Sequence, residues 1–466
     1  MKRILALIDG EHYLPVTKAA IEKLKSKTNQ KVVAALFLGG TEKIGSLDEV
    51  TQYLKLPIYF LEFKSNFQKI IQEIITKFKI TSVFDLSDEP VVTSQDRMNF
   101  ACAILLEGCS YNGADFEFTP INFLKNVNKP IMSVIGTGKR VGKTAIAGYI
   151  ARVVDKTEWT PCILTMGRGG PATPEVIRGD QLVITAESLL EVAQQGKHAA
   201  SDYWEDALTS RVITIGCRRC AGGLAGAPYL DNVEEGIRIA EKLPVDLIIA
   251  EGSGPTIPPV WAQSFIVIVG AQQPIPQIKG ILNPYRIKLS ELAIITNCEL
   301  PIATDDKVRE MCKTVKGINP KIKVCCTTFR PKVLGNIRNK DVFYASTIPL
   351  EMMETVENYL SNKYECNIVG TSQHLSDRTK LKKDLKRLAQ ADVLVTELKA
   401  AAIDIATKTA FQLRMPTIFC DNELQVKGSV DGDIDSIQEL NLYLKGICER
   451  ITKGREASDN SKTSKN

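Results

Sequence analysis

The sequence predicts an α/β protein built on parallel sheets. Short apolar runs alternate with amphipathic helical stretches along most of the 466 residues, and this alternation is typical of strands joined by crossover helices. A second observation is a glycine-rich loop that separates an apolar run at 131–135 from a helical pattern at 145–154. Hydrophobic residues make up 44% and charged residues 24% of the chain, as in ordinary globular proteins.

The first 126 residues are predicted to form a Rossmann-like α/β domain. Turn signals at 112–113 and 119–120, followed by a linker-like stretch at 126–130, place its boundary there. Its predicted strands are 4–8, 32–37, 58–61 and 82–84, and its predicted helices are 15–25, 67–78 and 97–106.

Two further α/β regions follow. The second domain, 127–340, has predicted strands at 131–135, 162–165, 212–215, 247–250, 265–269, 293–296 and 324–327. The third region, 341–452, has predicted strands at 342–345, 367–369, 393–396 and 417–420, with helices at 350–360, 381–388 and 400–409. It is either a separate small domain or an extension of the second sheet. Residues 453–466 are polar and charged, which predicts a disordered tail.

The glycine-rich loop has the features of a phosphate-binding P-loop. Its residues are Gly136, Thr137, Gly138, Lys139, Arg140, Val141, Gly142, Lys143 and Thr144. Backbone N–H groups of such a loop and the following helix N-terminus surround an anion. Lys143 is expected to neutralise phosphate charge, and the Thr144 hydroxyl to bind Mg²⁺. The sequence therefore predicts a P-loop NTPase-type parallel sheet that binds ATP and Mg²⁺.

A carboxylate is predicted opposite this loop. Glu251 ends the apolar run 247–250 and is followed by Gly252, Ser253 and Gly254. Because ligands gather at the carboxyl ends of parallel strands, Glu251 is expected to bind the magnesium ion with Thr144. The other interpretation is a surface glutamate in a glycine turn. Asn297, which also ends a strand, is predicted to contact adenine, unless it only begins a turn.

Arginines stand among glycines after two other predicted strands. Arg168 lies in one such segment, and Arg218 and Arg219 lie in another. Since arginine binds phosphate through a planar fork, these three predict a substrate with several phosphate or carboxylate groups. Solvated loop arginines are the alternative. Cys217 and Cys220 form a CxxC, which is read as part of the loop that positions the arginines rather than as a metal or redox site.

Polar residues follow strands in the other two regions as well. Glu11 and His12 follow the first strand and are candidates for a substrate contact, although a lone histidine is more often structural. Glu397 and Lys399 follow the strand at 393–396, where they either close over the site or cap a helix.

The form Gly-Thr-x-x-x-Val-Gly-Lys-Thr resembles the dethiobiotin synthetase branch of P-loop proteins. That branch has a Glu-Gly-x-Gly motif whose glutamate binds the metal, which matches Glu251. The second lysine typical of partitioning and metal-carrier ATPases is missing, because Arg140 and Val141 follow Lys139.

Over nearly the full length, the chain resembles the cyclic 2,3-diphosphoglycerate synthetases of methanogenic archaea. The segments that carry this resemblance are DGEHY (9–13), GTGKRVGKT (136–144), MGRGGP (166–171), GCRRCAGG (216–223), AEGSG (250–254) and TELKAAAIDIAT (396–407). The resemblance implies a ligase that uses ATP to close 2,3-diphosphoglycerate into its cyclic phosphoanhydride, with release of ADP and phosphate. Lys143, Glu251, Arg218 and Arg219 would then be its catalytic residues.

Two other functions stay open at this point. One is another ATP-dependent ligase of the dethiobiotin synthetase branch, and the other is a nucleotide-switch carrier or metallochaperone. The net charge of +5 argues against a nucleic-acid partner, and no apolar run reaches the ~20 residues of a membrane span. We expect a cytoplasmic homo-oligomer, a dimer, that acts on a small molecule.

Overall fold

The computed structural model describes residues 1–428 and 430–463. They fall into two compact units, one formed by 1–122 and 276–289, the other by 123–275 and the described residues from 290 onward. None of the described helices is both long and apolar enough to cross a membrane.

The first unit contains a sheet of six strands with the order β3-β2-β1-β4-β5-β6. All neighbours are parallel except β5 and β6, and the order 3-2-1-4-5 is that of a Rossmann-like sheet. The strands are β1 (Lys2–Ile8), β2 (Gln30–Phe37), β3 (Ile58–Phe60), β4 (Ser82–Asp85), β5 (Ser110–Asn112) and β6 (Glu117–Phe118). The helices before residue 122 are α1 (Leu14–Lys25), α2 (Leu47–Leu54), α3 (Phe67–Phe78) and α4 (Ser94–Leu106), with a 3₁₀ turn at Lys64–Asn66.

The second unit is built on a sheet of 13 described strands. They are β7 (Ile131–Gly136), β8 (Pro161–Gly167), β9 (Glu175–Arg178), β10 (Ile213–Gly222), β11 (Pro228–Asp231), β12 (Leu247–Glu251), β13 (Ser264–Gly270), β14 (Leu292–Thr296), β15 (Lys323–Val333), β16 (Asp341–Ala345), β17 (Asn367–Ser372), β18 (Val393–Glu397) and β19 (Thr417–Val426). The order is β11-β10-β8-β12-β7-β13-β14-β15-β19-β18-β16-β17, and β9 pairs with β10.

Helices α5 to α15 complete the described elements. They are α5 (Lys143–Val154), α6 (Ala186–Gln194), α7 (Asp202–Ser210), α8 (Val233–Ala240), α9 (Ile275–Lys279), α10 (Asn283–Leu289), α11 (Asp305–Ile318), α12 (Met353–Tyr364), α13 (Arg378–Asp384), α14 (Lys408–Gln412) and α15 (Ile437–Thr463). Short 3₁₀ segments span Leu350–Met352 and Leu385–Gln390, and a π-helical segment spans Ala402–Thr407. Apolar residues of α5 and α15 pack with those of β7, β12, β13 and β14 in a single buried cluster, which fixes the helix that follows the P-loop against the sheet.

Two groups of parallel strands form this sheet, and they run in opposite directions. The P-loop array consists of β10, β8, β12, β7, β13 and β14, which are parallel throughout. The C-terminal array consists of β16, β17 and β18. Strand β15 begins in parallel with β14 and continues past its end, where residues 327–333 pair antiparallel with β19. Because β19 begins at the far end of this ladder and runs parallel to β18, the carboxyl ends of the two arrays face each other.

The structure confirms the predicted α/β class, and the third region extends the P-loop sheet, which is one of the two arrangements that the sequence left open. Several details differ from the sequence predictions. Residues 216–222, predicted as a loop, belong to strand β10, because they pair with β11. Helix α2 was not predicted, and residues 276–289 belong to the first unit. Helix α15 includes residues 453–463 of the predicted disordered tail, and residues 464–466 lie outside the described residues.

An ion pair beside the β15–β19 ladder provides a test of this architecture. Arg330 of β15 binds Glu299 through two contacts of 2.6 Å, and both side chains are mostly buried. We expect Arg330→Met to lower the free energy of unfolding by about 2 kcal/mol, because it leaves a buried carboxylate without its partner. The exposed pair of Arg338 and Glu365, also 2.6 Å apart, is the matched control, and Arg338→Met should cost less than about 0.5 kcal/mol. Urea denaturation followed by circular dichroism measures both, and equal losses would contradict the expectation.

Candidate active site

A cavity of about 790 Å³ lies in the second unit, between the facing carboxyl ends of the two arrays. Polar and charged side chains from both sides line it. Those from the P-loop side include Lys139, Arg140, Lys143, Thr144, Arg168, Asp202, Glu251 and Asn297, and those from the C-terminal side include Thr347, Gln373, His374, Glu397, Lys399 and Asn422. A cavity of this size accommodates a nucleotide-sized ligand.

The P-loop connects the end of β7 to the start of α5, as the sequence predicted. A Cβ atom on Gly136 would lie 2.9 Å from Cδ of Lys143. Gly142 has φ of +91°, and a Cβ there would lie 2.7 Å from the Phe329 ring. Both positions therefore need glycine, so that the loop can close around the lysine and the ring can lie against the backbone.

Hydrogen bonds hold the remaining loop residues. The Thr137 hydroxyl lies 2.5 Å from Oε1 of Gln273, whose amide donates to the Thr137 carbonyl at 3.3 Å. Gly138 also lies beside Gln273, since a Cβ on it would meet the amide nitrogen at 3.0 Å. Val141 is fully buried, and its carbonyl accepts a bond from Thr296 at 2.8 Å. The backbone of the loop is thus fixed in place by β13 and β14.

Lys143 is almost entirely buried under this loop. Its ammonium group donates to the Gly138 carbonyl at 3.0 Å, and burial lowers its pKa to about 8. The carboxylate of Glu251 opposes this effect of burial. A polyphosphate in the loop would add negative charge beside the ammonium group and restore its preference for the protonated form.

Thr144 and Glu251 are in direct contact. The Thr144 hydroxyl donates to Oε1 of Glu251 at 2.7 Å, and the Glu251 carboxyl group also shares a side-chain hydrogen bond with Asp206. Burial, with a contribution from Asp202, raises the pKa of Glu251 to about 7. A hydroxyl beside a carboxylate fits the donor set that Mg²⁺ takes in P-loop sites. No group of three or more metal-binding side chains occurs within the described ranges, so phosphate oxygens and water would complete such a site.

Two acidic residues of α7 were not predicted from the sequence. Asp202 lines the cavity, and Asp206, one helical turn later, is buried beside Glu251. Burial and the Glu251 carboxylate raise the pKa of Asp206, and Thr165 donates to its Oδ2. The spacing of four residues on a helix was the available signal, since it places both carboxylates on the same face.

Asn297 lies at the edge of the P-loop, in keeping with its position at a strand end. It has φ of +59°, and its amide donates to Gln272 at 3.1 Å. Gln272 in turn donates to the carbonyl of Arg140 at 3.2 Å. Asn297 and Phe329 line the same part of the cavity wall, which therefore offers an amide and an aromatic face.

Arg168 and Arg219 converge on the turn after Glu251. A Cβ on Gly254 would lie 3.6 Å from Nη2 of Arg219 and 3.9 Å from Nη2 of Arg168. Arg219 is buried behind this turn and donates to the Ser253 carbonyl at 2.9 Å, while Arg168 is exposed and lines the cavity. Burial and the charge of Arg168 lower the pKa of Arg219, and Arg168 likewise lowers that of Lys139. Positive charge is thus concentrated beside the P-loop, as an anion site requires.

The structure does not bring Arg218 to this cluster. Successive residues of a strand point to opposite faces, so Arg218 and Arg219 of β10 cannot both face the turn. Cys217 is buried, with its sulfur 2.3 Å from where a Cβ on Gly236 of α8 would lie, whereas Cys220 is exposed. The predicted loop is therefore a strand, in which Cys217 and Cys220 lie in different environments.

Glu11 and His12 belong to the first unit, at the end of β1. Nδ1 of His12 lies 2.8 Å from Asp9, which also accepts the backbone N–H of Glu11 at 3.1 Å. Glu42 raises the pKa of Glu11 by a side-chain hydrogen bond. These contacts explain the positions of both residues by interactions within the first unit. A substrate role for them stays a prediction.

Comparisons with known proteins agree on one family. Family models match three consecutive parts of the chain: "Cyclic 2,3-diphosphoglycerate synthetase, N-terminal domain" at 3–119, the P-loop domain of the same family at 131–328, and its C-terminal domain at 333–423. The chain is 45% identical to the cyclic 2,3-diphosphoglycerate synthetase of Methanothermobacter thermautotrophicus, over 93% of this chain and 94% of that protein. It is 46% identical to that of Methanothermus fervidus, over 93% and 95%.

The similarity to solved structures is weaker than the similarity to these relatives. Hydrogenase maturation factor HypB from Archaeoglobus fulgidus aligns with 43% of this chain and 81% of its own, at 15% identity and a TM-score of 0.28. A similarity this low gives no information about function. The matched P-loop domain, by contrast, implies nucleotide binding.

The two P-loop lysines allow a matched test of that binding. Lys143 is buried under the loop, whereas Lys139 is exposed. We expect Lys143→Met to weaken binding of a fluorescent ADP analogue about 100-fold, because a buried charge-assisted contact to phosphate is lost. Lys139→Met should weaken it less than about fivefold, since solvent screens that charge. A fluorescence titration measures both, and equal effects would show that the buried position confers no special role.

Proposed function

Because the chain belongs to the cyclic 2,3-diphosphoglycerate synthetase family, we propose that it closes 2,3-diphosphoglycerate into cyclic 2,3-diphosphoglycerate with ATP. It is then an ATP-dependent ligase that forms an intramolecular phosphoanhydride and releases ADP and phosphate. The observation that carries the proposal is the cavity, in which Lys143 and Arg168 lie on the P-loop side and Lys399 lines the opposite side. A site for ATP alone would not need cationic groups on both sides.

In this proposal residues 136–144 hold the phosphates of ATP. Lys143 contacts the transferring γ-phosphoryl group, and Asn297 and Phe329 lie where the base or ribose would be placed. Thr144 and Glu251 would hold Mg²⁺, because the Thr144 hydroxyl and the Glu251 carboxylate lie 2.7 Å apart and are both oxygen ligands. When bound, the ion neutralises charge on the phosphate oxygens.

The reaction proceeds by two phosphoryl transfers in this scheme. An oxygen of one substrate phosphate forms a bond to the γ-phosphorus of ATP, and the bond from that phosphorus to ADP breaks. An oxygen of the other substrate phosphate then bonds to the first substrate phosphorus, and inorganic phosphate leaves as the ring closes. Both nucleophiles come from the substrate, so no protein nucleophile is required. The protein contributes orientation and positive charge.

Charge neutralisation is a large part of this task. Two phosphates at about 4 Å repel each other by several kcal/mol when the surroundings screen them poorly. Arg168 in the cavity and Lys139 at its edge are the groups that reduce this repulsion. Arg219 positions the turn after Glu251, and Arg168 lies beside the same turn. Arg219 is thus proposed as a positioning residue. For Arg218, the same role has no support from the geometry.

The alternatives of the sequence analysis are not favoured. A carrier or metallochaperone would need the CxxC as a metal site, but Cys217 is buried and Cys220 exposed. If the chain were another ligase of the dethiobiotin synthetase branch, its similarity to cyclic 2,3-diphosphoglycerate synthetases over 93% of its length would have no explanation. A dimer in the cytoplasm, without nucleic-acid or membrane partners, remains a prediction.

³¹P NMR provides the direct test. We expect protein incubated with Mg²⁺, ATP and 2,3-diphosphoglycerate to produce phosphoanhydride resonances of a cyclic product in step with ADP. The control omits the acid, and ADP formation should then nearly stop. Release of ADP without a cyclic product in the complete mixture would reject the proposal.

Arg168 and Arg178 form a matched pair for the substrate role. Arg168 lines the cavity, whereas Arg178 is paired with Asp180 at 2.6 Å on the surface. We expect Arg168→Ala to raise the KM for 2,3-diphosphoglycerate about 30-fold, as for loss of a charged hydrogen bond, with the KM for ATP nearly unchanged. Arg178→Ala should leave both constants within about twofold of the wild type. Steady-state kinetics measures them, and an equal rise for ATP would assign Arg168 to the nucleotide instead.

A further inference from the structure

The wall of the cavity opposite the P-loop carries groups to which no role is yet assigned. They follow three neighbouring parallel strands: Thr347 after β16, Gln373 and His374 after β17, and Lys399 after β18. The carboxyl ends of parallel strands are where ligands gather in open α/β sheets. This wall, defined as Thr347, Gln373, His374, Lys399 and Asn422, is called the C-terminal wall below.

The C-terminal wall is held rigidly by a buried carboxylate. Oε2 of Glu397 accepts the backbone N–H of Thr347 at 3.0 Å and its hydroxyl at 2.9 Å. Oε1 accepts the amide of Asn422 at 3.1 Å. With both oxygens occupied, Glu397 serves to position its neighbours. Glu397 belongs to β18 and links the loop that follows β16 with β19. The wall is therefore preorganised.

His374 is oriented so that one ring nitrogen remains for a ligand. Its Nδ1 lies 2.8 Å from Oδ2 of Asp384, which also accepts the Ser372 hydroxyl at 2.6 Å. Because a carboxylate can only accept, Nδ1 carries the hydrogen of this contact. Nε2, near the amide of Gln373 at 3.5 Å, is the atom left for the cavity that the residue lines.

Lys399 adds a cationic group to the wall. Its ammonium group lies 3.0 Å from Oε1 of Glu205, a buried residue of α7, which ties the wall to the P-loop side. Burial opposes its charge, but the carboxylates of Glu205 and Glu397 outweigh burial and raise the pKa of Lys399. An ammonium group has three hydrogens, and the contact with Glu205 uses one of them. The residue remains partly exposed to the cavity.

We propose that the C-terminal wall, through His374 and Lys399, is a second anion subsite that binds a phosphate group of the acid substrate across the cavity from the P-loop. This inference rests on the proposed function. On the opposite side, Lys143 and the loop N–H groups face the phosphates of the nucleotide. A bisphosphorylated acid brings further anionic groups, and the C-terminal wall supplies a cation and hydrogen-bonding side chains for them. Nucleotide and acid are thus bound from opposed strand edges.

Binding of the two ligands to His374→Ala tests the subsite. Isothermal titration calorimetry on the full chain should show affinity for 2,3-diphosphoglycerate reduced about 10- to 100-fold, as for loss of a charged hydrogen bond. Affinity for ADP should stay within about twofold. Lys383→Ala removes an exposed cation from the same helix as Asp384 and is the control, with both affinities unchanged.

A second variant addresses Lys399 without leaving a buried charge. The double variant Glu205→Gln with Lys399→Met removes both partners of the ion pair, and it should lose affinity for the acid to a similar extent as His374→Ala. Propane-1,2-diol bisphosphate, which lacks the carboxylate, identifies the bound group. An equal loss of affinity for this compound in His374→Ala supports a phosphate contact, and an unchanged affinity overturns it in favour of the carboxylate.

The outcomes separate this inference from the proposed function. If the wild type forms the cyclic product while His374→Ala and the double variant bind the acid normally, the subsite is wrong and the function stands. If both ligands lose affinity equally in His374→Ala, the wall belongs to the nucleotide and the subsite is wrong. A wild type that yields no cyclic product in the NMR assay overturns the proposed function itself.

Discussion

The antiparallel pairing of β15 with β19 is the constraint on which the geometry of the second unit depends. An open parallel sheet presents the carboxyl ends of its strands along one edge, and its ligands bind there. Here the ladder from Thr327↔Val426 to Val333↔Cys420 reverses the strand direction beyond the end of the P-loop array. The C-terminal array therefore points back toward the first, and each contributes its ligand-binding edge to one cavity. The C-terminal array lies beyond the end of the P-loop array, so without that reversal the loops that follow its strands would point away from the P-loop.

The charges in this cavity are arranged for a ligand more than for stability. Lys143, Glu251 and Asp206 are all nearly or fully buried, and burial disfavours the charged form of each. Nearby groups of opposite charge offset only part of the free-energy cost of removing such groups from water. A polyphosphate with a divalent cation would add negative charge beside Lys143 and positive charge beside Glu251. Displaced pKa values within one cavity are typical of sites where ligands complete the electrostatics.

Much of the fold and the P-loop half of the site could be predicted from the sequence, because their signals are local. Apolar runs placed most strands of both sheets, and the spacing of Gly142, Lys143 and Thr144 identified the phosphate loop. Glu251 was found because a buried strand ended in a carboxylate, and the structure sets it against Thr144 at 2.7 Å.

What could not be predicted depends on pairing between distant segments. The second half of β10 reads as a glycine-rich loop, and only its ladder with β11 makes it a strand that separates Arg218 from Arg219. His374 follows a strand that continues to Ser372, three residues beyond its predicted end, so it did not stand out as a strand-end residue. Likewise, the alternation after 341 is visible in the sequence, but its direction is set by the register of β15 with β19.

The two facing edges suit a reaction that needs no nucleophile from the protein. When both reacting groups belong to ligands, the protein accelerates the reaction mainly by holding them in line and by stabilising charge, and well-oriented reactions gain about 7–11 kcal/mol in this way. A single strand edge would crowd the nucleotide and a highly charged acid together. In the proposed arrangement, opposed edges let Lys143 hold one ligand and His374 the other, while Arg168 lines the cavity beside Gly254. The hydrogen bonds that Glu397 accepts from Thr347 and Asn422 then matter for catalysis, because they fix the distance across which the two ligands meet.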